Sequence, residues 1–233
     1  MISIHAISTG KIQDLPYSSK RPMRSALDKT KISQTTWLSS TGFTGDEQAY
    51  KDHGGPHKAV CGFSKHNYAL YQDDLPSLPT HAMFGENLTF DYLDESDVYF
   101  GNQYRLGEAL IEVSEIREPC WKIQAKYNIP DLVKRMSTSG KTGFYFRVLK
   151  QGYVSPNDQL YLIQEAPIEH RLSVQQLNDL YYNDRQNQDM LRYALNNPFL
   201  SPTRRDKQSS PDSCVKCYTM FLPFLLIKID VFS

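Results

Sequence analysis

The chain has 233 residues, 40% of them hydrophobic and 12% aromatic, with 26 basic side chains balanced by 26 acidic ones. That length buries one sizeable core with room for an appendage, and a formal net charge of zero argues against a general nucleic-acid binder. Cysteines at 61, 120, 214 and 217 form no even framework across the main body, which suits a reducing compartment and makes the cytoplasm the default location.

Met1 to Ser8 is a short alternating apolar run with no basic leader, and it reads as a strand rather than a signal peptide. Up to about residue 165, short β-prone runs alternate with Gly, Pro, Asn and Asp turns. The runs fall at 59–63, 87–90, 98–100, 109–113, 143–149 and 159–163, a spacing that predicts an all-β barrel or sandwich. In the stretch 108–115, Ala109, Ile111 and Val113 share one face, but Leu110 breaks the polar face opposite, so both faces are partly covered. Two helices are predicted within this region, at 65–74 before Pro76 and from Pro130 to Ser139 before Gly140.

Beyond Pro167 the texture changes. Ser173 followed by Val174, Leu177, Leu180 and Tyr181 gives helical spacing, and 188–195 predicts a second helix. Residues 201–213 are polar and Pro/Ser-rich, and 220–232 are strongly apolar but too short to span a bilayer. Cys214-Val215-Lys216-Cys217 is a single CxxC with no second half, a weak metal signal.

The chemistry-bearing residues cluster in a few words. In Arg117-Glu118-Pro119-Cys120-Trp121-Lys122, cations flank a thiol and favour thiolate, the form that binds metal or attacks electrophiles. Packing as a small hydrophobe is the plain alternative for that cysteine. Gly42-Phe43-Thr44-Gly45-Asp46 and His53-Gly54-Gly55-Pro56-His57-Lys58 predict tight turns whose N–H groups approach an anion; the glycines also rule out a helical zinc pair from His53 and His57. Cations of Lys20-Arg21-Pro22-Met23-Arg24-Ser25-Ala26-Leu27-Asp28-Lys29 face either a phosphate or simply solvent. Phe84-Gly85-Glu86-Asn87-Leu88 puts an amide and a carboxylate at a strand mouth. Gly140-Lys141-Thr142 lacks the first glycine of a nucleotide loop, since position 135 is Arg135.

In this order, Arg24-Ser25-Ala26, Gly42-Phe43-Thr44-Gly45-Asp46, His53-Gly54-Gly55-Pro56, Phe84-Gly85-Glu86-Asn87-Leu88, Pro119-Cys120-Trp121-Lys122 and Thr142-Gly143-Phe144-Tyr145-Phe146-Arg147-Val148-Leu149 resemble the MOSC-domain family, nearest its YiiM branch. The resemblance covers about 1–165 strongly and the helical part weakly. It implies a mainly β fold: a MOSC-type β-barrel over 1–165 with a few inserted helices, a small helical appendage over 166–205 and an atypical tail over 206–233.

It also implies molybdenum-molybdopterin as cofactor, with Cys120 as metal ligand, and reduction of N-hydroxylated compounds such as hydroxylaminopurine bases and amidoximes. A soft thiolate suits a metal already held by sulfur. Arg117 and Lys122 are expected to lower the thiol pKa, and Arg24, Lys29 and Arg147 to meet the cofactor phosphate, with backbone donors from Gly54 and Gly55. His53 is the expected proton donor, oriented by Asp46, and Asn87 the expected hydrogen-bond partner of pterin or substrate. Without a flavin, haem or iron–sulfur motif, electrons are expected from a separate reductase; no nucleic-acid polymer or membrane is expected as partner. The apolar face of the helical part is compatible with a homodimer. The main rival reading is a cofactor or sulfur carrier without turnover, with Cys120 as a persulfide; a metal-free cysteine nucleophile and a barrel used only for protein interaction are the others.

Overall fold

The computed structural model describes residues 1–18 and 22–209. Its strands are β1 (Ile4–Thr9), β2 (Gln13–Asp14), β3 (Arg24–Ser25), β4 (Thr30–Lys31), β5 (Thr36–Ser39), β6 (Gly42–Phe43), β7 (Val60–Ser64), β8 (Leu88–Phe90), β9 (Gln103–Leu106), β10 (Ala109–Ile116), β11 (Phe144–Lys150), β12 (Gly152–Val154) and β13 (Leu160–Gln164). The helices are α1 (Trp121–Tyr127), α2 (Leu132–Ser139), α3 (Val174–Tyr182), α4 (Gln188–Leu195) and α5 (Pro202–Ser209).

Among the described residues, an 8-stranded sheet runs β13-β9-β10-β11-β7-β8-β1-β4. Its ladders are antiparallel except β7–β8, which is parallel. A bridge between Ile2 and Leu160, with N–H···O distances of 2.8 and 3.1 Å, ties the start of the chain to β13 and curls the sheet on itself. Sealing a twisted sheet this way protects strands that would otherwise be edges.

The interior is aromatic. Phe90 and Phe144 stack with centroids 6.1 Å apart, and Phe146 meets Phe144 edge-on at 5.3 Å. Gly62 on β7 makes room for them, since a Cβ there would lie 2.8 Å from the Phe90 ring. β10 is buried on both faces, with helices α3 and α4 contributing Leu177, Leu180, Tyr181 and Ala194 to the same core. Leu110, the exception, is itself partly exposed, whereas Glu112 and Ser114 on its side of the strand are buried. A second cluster beside it packs Ile123 of α1 with Leu132 and Met136 of α2 against Phe63, Tyr68 and Phe84.

α3 starts where its sequence says it should. Ser173 Oγ accepts the Gln176 N–H at 3.1 Å and Gln176 returns the bond to the Ser173 N–H at 2.9 Å, a reciprocal cap contributing about 1 kcal/mol. Gly140 ends α2 at φ +71.

Four expectations change. Residues 65–74 form a 3₁₀ helix rather than an α-helix. Residues 98–100 are a buried connection whose single ladder contact is Tyr99 with Ser173. α1, directly after Cys120, and α5, in the stretch read as polar and Pro/Ser-rich, are additional to the expected helices; α5 runs past residue 206, the expected start of the tail. Lys20, Arg21, the Cys214/Cys217 pair and the apolar run 220–232 lie outside the described residues.

Candidate active site

β10 delivers Ile116 to the barrel rim, and the next four residues turn into α1 with Cys120 at its N-cap (φ −107, ψ 148). The thiol makes no side-chain capping bond, so its sulfur is not spent on the helix. Cys120 is half-buried and unpaired. It borders a small open cleft of about 70 Å³.

Arg117, Cys61, Tyr145 and Asn87 also line this cleft, as do His53, Lys58, Lys122 and Glu118. Arg117 is held from two sides. Its backbone N–H donates to Gly143 O at 3.2 Å, and Nη2 donates to Phe84 O. Gly143 sits at φ +82 with Gly62 O 2.6 Å from where a Cβ would be, so only glycine fits this support. The other guanidinium nitrogen, Arg117 Nη1, is buried without a hydrogen-bond partner. A buried cationic donor left unmatched is costly, which makes it a natural contact for an anionic ligand.

The cations set the titration of their neighbours. Burial, then the charges of Arg117, Lys122 and Lys58, press His53 down to about 4, so its ring is neutral at physiological pH. Burial lowers Lys58, whose Nζ donates to Asp52 O at 2.8 Å. Cys61 is pushed up to about 11 by burial and stays a thiol. Glu118 is driven up by burial, but Arg204 and Lys207 outweigh it and hold the carboxyl at about 2.

The anticipated site residues divide into two groups. Cys120, His53, Arg117 and Lys122 border the cleft together. Lys122 also reaches back to the Arg24 carbonyl, Nζ to O 2.6 Å. Asp46 does not orient His53: it accepts from Gly10 N at 2.8 Å and Asn87 Nδ2 at 2.9 Å, and pairs with Lys29. Lys29 borders the cleft, but its ammonium is taken by that buried pair. Asn87, which borders the cleft, has its Oδ1 on Cys61 N (3.0 Å) and its Nδ2 on Ser8 O (3.1 Å) and Asp46, so its amide braces three chain segments.

Arg147 lies away from the cleft, its Nε on Glu112 at 2.8 Å, Nη1 against His57 Nδ1 at 3.3 Å and Nη2 on Phe199 O. Arg24 is exposed and does not border the cleft. Nor do Gly54 and Gly55, whose turn shapes the approach to Lys58; the Lys58 N–H donates to Gly55 O at 2.9 Å. Sequence reading missed Cys61, Lys58 and Tyr145. Cys61 and Tyr145 meet only through the β7–β11 register, and no local signal carries that pairing.

Among the described residues, no group of three or more His, Cys, Asp or Glu side chains could hold a metal, and no helix is long and apolar enough to cross a membrane.

Residues 49–161 match the MOSC domain and 172–207 the YiiM-like, 3-alpha helix domain. The chain is 36% identical to the uncharacterized protein YflK of Bacillus subtilis over 87% of its own length and 91% of that protein. It is 39% identical to protein YiiM of Escherichia coli over 69% of its length and 71% of YiiM. A 33% match covers 60% of this chain but only 26% of a protein named reductase from Gibberella moniliformis. The crystal structure of YiiM from Geobacillus stearothermophilus superposes with a TM-score of 0.74 at 30% identity, covering 89% of this chain and 97% of that one. With the barrel, the Cys120 cleft and the helical end each accounted for, the chain belongs to the MOSC-domain family, in its YiiM branch.

Proposed function

We propose that this protein is a reductase of N-hydroxylated compounds that works with molybdenum-molybdopterin held in the Cys120 cleft. The observation that carries the reading is the unmatched, buried Nη1 of Arg117 in the same cleft as the unpaired, half-exposed Cys120 thiol. An anionic, sulfur-rich cofactor fits that pair: the thiolate is a soft ligand, and the guanidinium is a charged donor lacking an acceptor. One protein thiol does not make a metal centre, so Cys120 would be this chain's contribution and the other ligands would have to come with the cofactor or from solvent.

When bound, the cofactor supplies the two-electron couple for N–O cleavage, overall R–NHOH + 2 e⁻ + 2 H⁺ → R–NH₂ + H₂O. Cys120 would ligate the metal, with Arg117, Lys58 and Lys122 holding the cofactor's negative charge at the cleft wall. His53, neutral in the protein alone, offers an N–H to a substrate oxygen and a lone pair to a proton. An anion set among Arg117, Lys122 and Lys58 would cancel the repulsion that lowers His53 and so raise its capacity to carry a proton. The Gibberella relative's name, reductase, agrees with this class of chemistry. Electrons come from a separate protein.

The test is molybdenum per protein for wild type and Cys120→Ser from cofactor-competent cells, with turnover of 6-N-hydroxylaminopurine driven by an artificial electron donor. Near one equivalent in wild type, lost with activity in Cys120→Ser, is expected. Bound molybdenum without turnover would move the assignment to cofactor carriage. Labile sulfur on Cys120 with no molybdenum would make it a persulfide carrier.

A further inference from the structure

The two carboxylates nearest in sequence to Cys120 on its N-terminal side are both answered from the helical domain. Glu118, two residues away, borders the cleft. Its Oε1 accepts from Arg204 Nη2 at 2.6 Å and from Lys207 Nζ at 2.6 Å. Glu115, at the end of β10, receives Arg204 Nε on Oε1 and Ser201 Oγ on Oε2. Arg204 and Glu115 are each 1% exposed, whereas Lys207 is 38% exposed. The guanidinium is further seated 4.8 Å from the Tyr181 ring of α3. Arg204 and Lys207 come from α5, Ser201 from just before it and Tyr181 from α3, all within the region that matches the 3-alpha helix domain.

A buried arginine spanning two carboxylates contributes little net stability compared with apolar packing, because three charges must leave water together. Its effect on the local field is larger. Arg204 and Lys207 supply two positive charges against the two negative charges of Glu115 and Glu118, so Arg117, Lys58 and Lys122 face the cleft without a competing anion beside Cys120. Without Arg204, one carboxylate charge would be uncompensated at the wall of a cleft whose other charged groups await an anion.

We infer that Arg204 is a positioning residue of the cleft: from the helical domain it fixes the 115–118 segment and screens its two carboxylates, so that the surroundings of Cys120 stay electropositive. The helical end is then part of the anion-receiving site. This rests on the cleft reading above for its purpose, and its test needs neither cofactor nor turnover.

The experiment compares alkylation of Cys120 in the full-length protein by iodoacetate, which is anionic, and iodoacetamide, which is neutral, at low salt. Peptide mass spectrometry separates Cys120 from Cys61, Cys214 and Cys217. The ratio of the two rates cancels the thiolate fraction and reports the local potential. Arg204→Met is expected to lower the iodoacetate-to-iodoacetamide ratio about threefold, the size of one partly solvated carboxylate charge left uncompensated at the same cleft. Adding Glu118→Gln to Arg204→Met should restore the ratio.

If Arg204→Met changes both rates alike, or if Glu118→Gln restores nothing, Arg204 merely packs the helix and the inference fails. Should Arg204→Met not fold, Lys207→Met removes a cation from the same carboxylate at an exposed position and must lower the ratio in the same sense. A lowered, restorable ratio in a protein that never carries molybdenum would keep this inference and remove the reductase assignment. Full molybdenum loading with an unchanged ratio would do the reverse.

Discussion

Lys29 and Asp46 form an ion pair in which both side chains are nearly sealed from solvent, 3% and 5% exposed, while Asn87 donates to the second Asp46 oxygen at 2.9 Å. The pair ties β6's following turn to the segment before β4, and Asn87 carries the tie on to β7 and β1. Removing one partner strands the other charge in the interior. Asp46→Ala should therefore cost about 3–5 kcal/mol in denaturant unfolding, and Lys29→Met with Asp46→Leu markedly less. Wild-type stability in Asp46→Ala would show that the pair is not a structural brace.

His53 gives the protein a defined acid sensitivity. Its folded value of about 4 lies below the ordinary 6.5 because of burial and the cations Arg117, Lys122 and Lys58. Between those values the unfolded chain binds the proton and the folded one does not. This contribution is full above pH 6.5 and is lost as pH falls toward 4. His53→Gln should flatten the stability curve over that window. In wild type, the NMR titration of the ring should move upward when inorganic phosphate is added; a midpoint near 6.5 without it would contradict the reading.

The two described cysteines should behave differently. Cys61 is buried, with its thiol pushed up to about 11. Cys120 is accessible at the cleft. Iodoacetamide at pH 7.5 should modify Cys120 in the native protein and reach Cys61 only after denaturation, as read by peptide mapping. Equal labelling of both would mean that the cleft floor opens.

Arg147 should prove structural. It pairs with Glu112 and donates to the Phe199 carbonyl, joining β11 to the chain leading into α5. Arg147→Met should lower stability by about 2 kcal/mol through the lost charged hydrogen bonds. Molybdenum per folded protein should not change, and a loss of metal at intact stability would return Arg147 to the cofactor site.

What the sequence made legible is what depends on near neighbours. The strands at 109–113, 143–149 and 159–163 appear where β-prone runs between turn residues placed them, as β10, β11 and β13, and Ser173 and Gly140 bound helices as their chemistry dictates. Residues 65–74 form tighter turns than an α-helix, with Asn67, Tyr68 and Tyr71 buried. α5 was hidden because its sequence is polar; it is held by Arg204, whose two carboxylate partners lie 86 and 89 residues earlier. The same distance problem misled the reading of Asp46 and Arg147. Each is a charged residue in a suggestive word, and each is answered by a partner elsewhere in the chain that only the fold reveals.

The bridge between Ile2 and Leu160 has a consequence for synthesis. During synthesis β1 meets β4 early, but finds β8 only after residue 90, and Ile2 its closing partner only after residue 160. Until then Ile2 has no closing partner and the aromatic interior is open on that side. Long-range closure of this kind slows folding and leaves sticky intermediates. The nascent chain is therefore exposed to aggregation for most of its translation, and trimming even the first few residues would leave β13 as a permanent, unprotected edge.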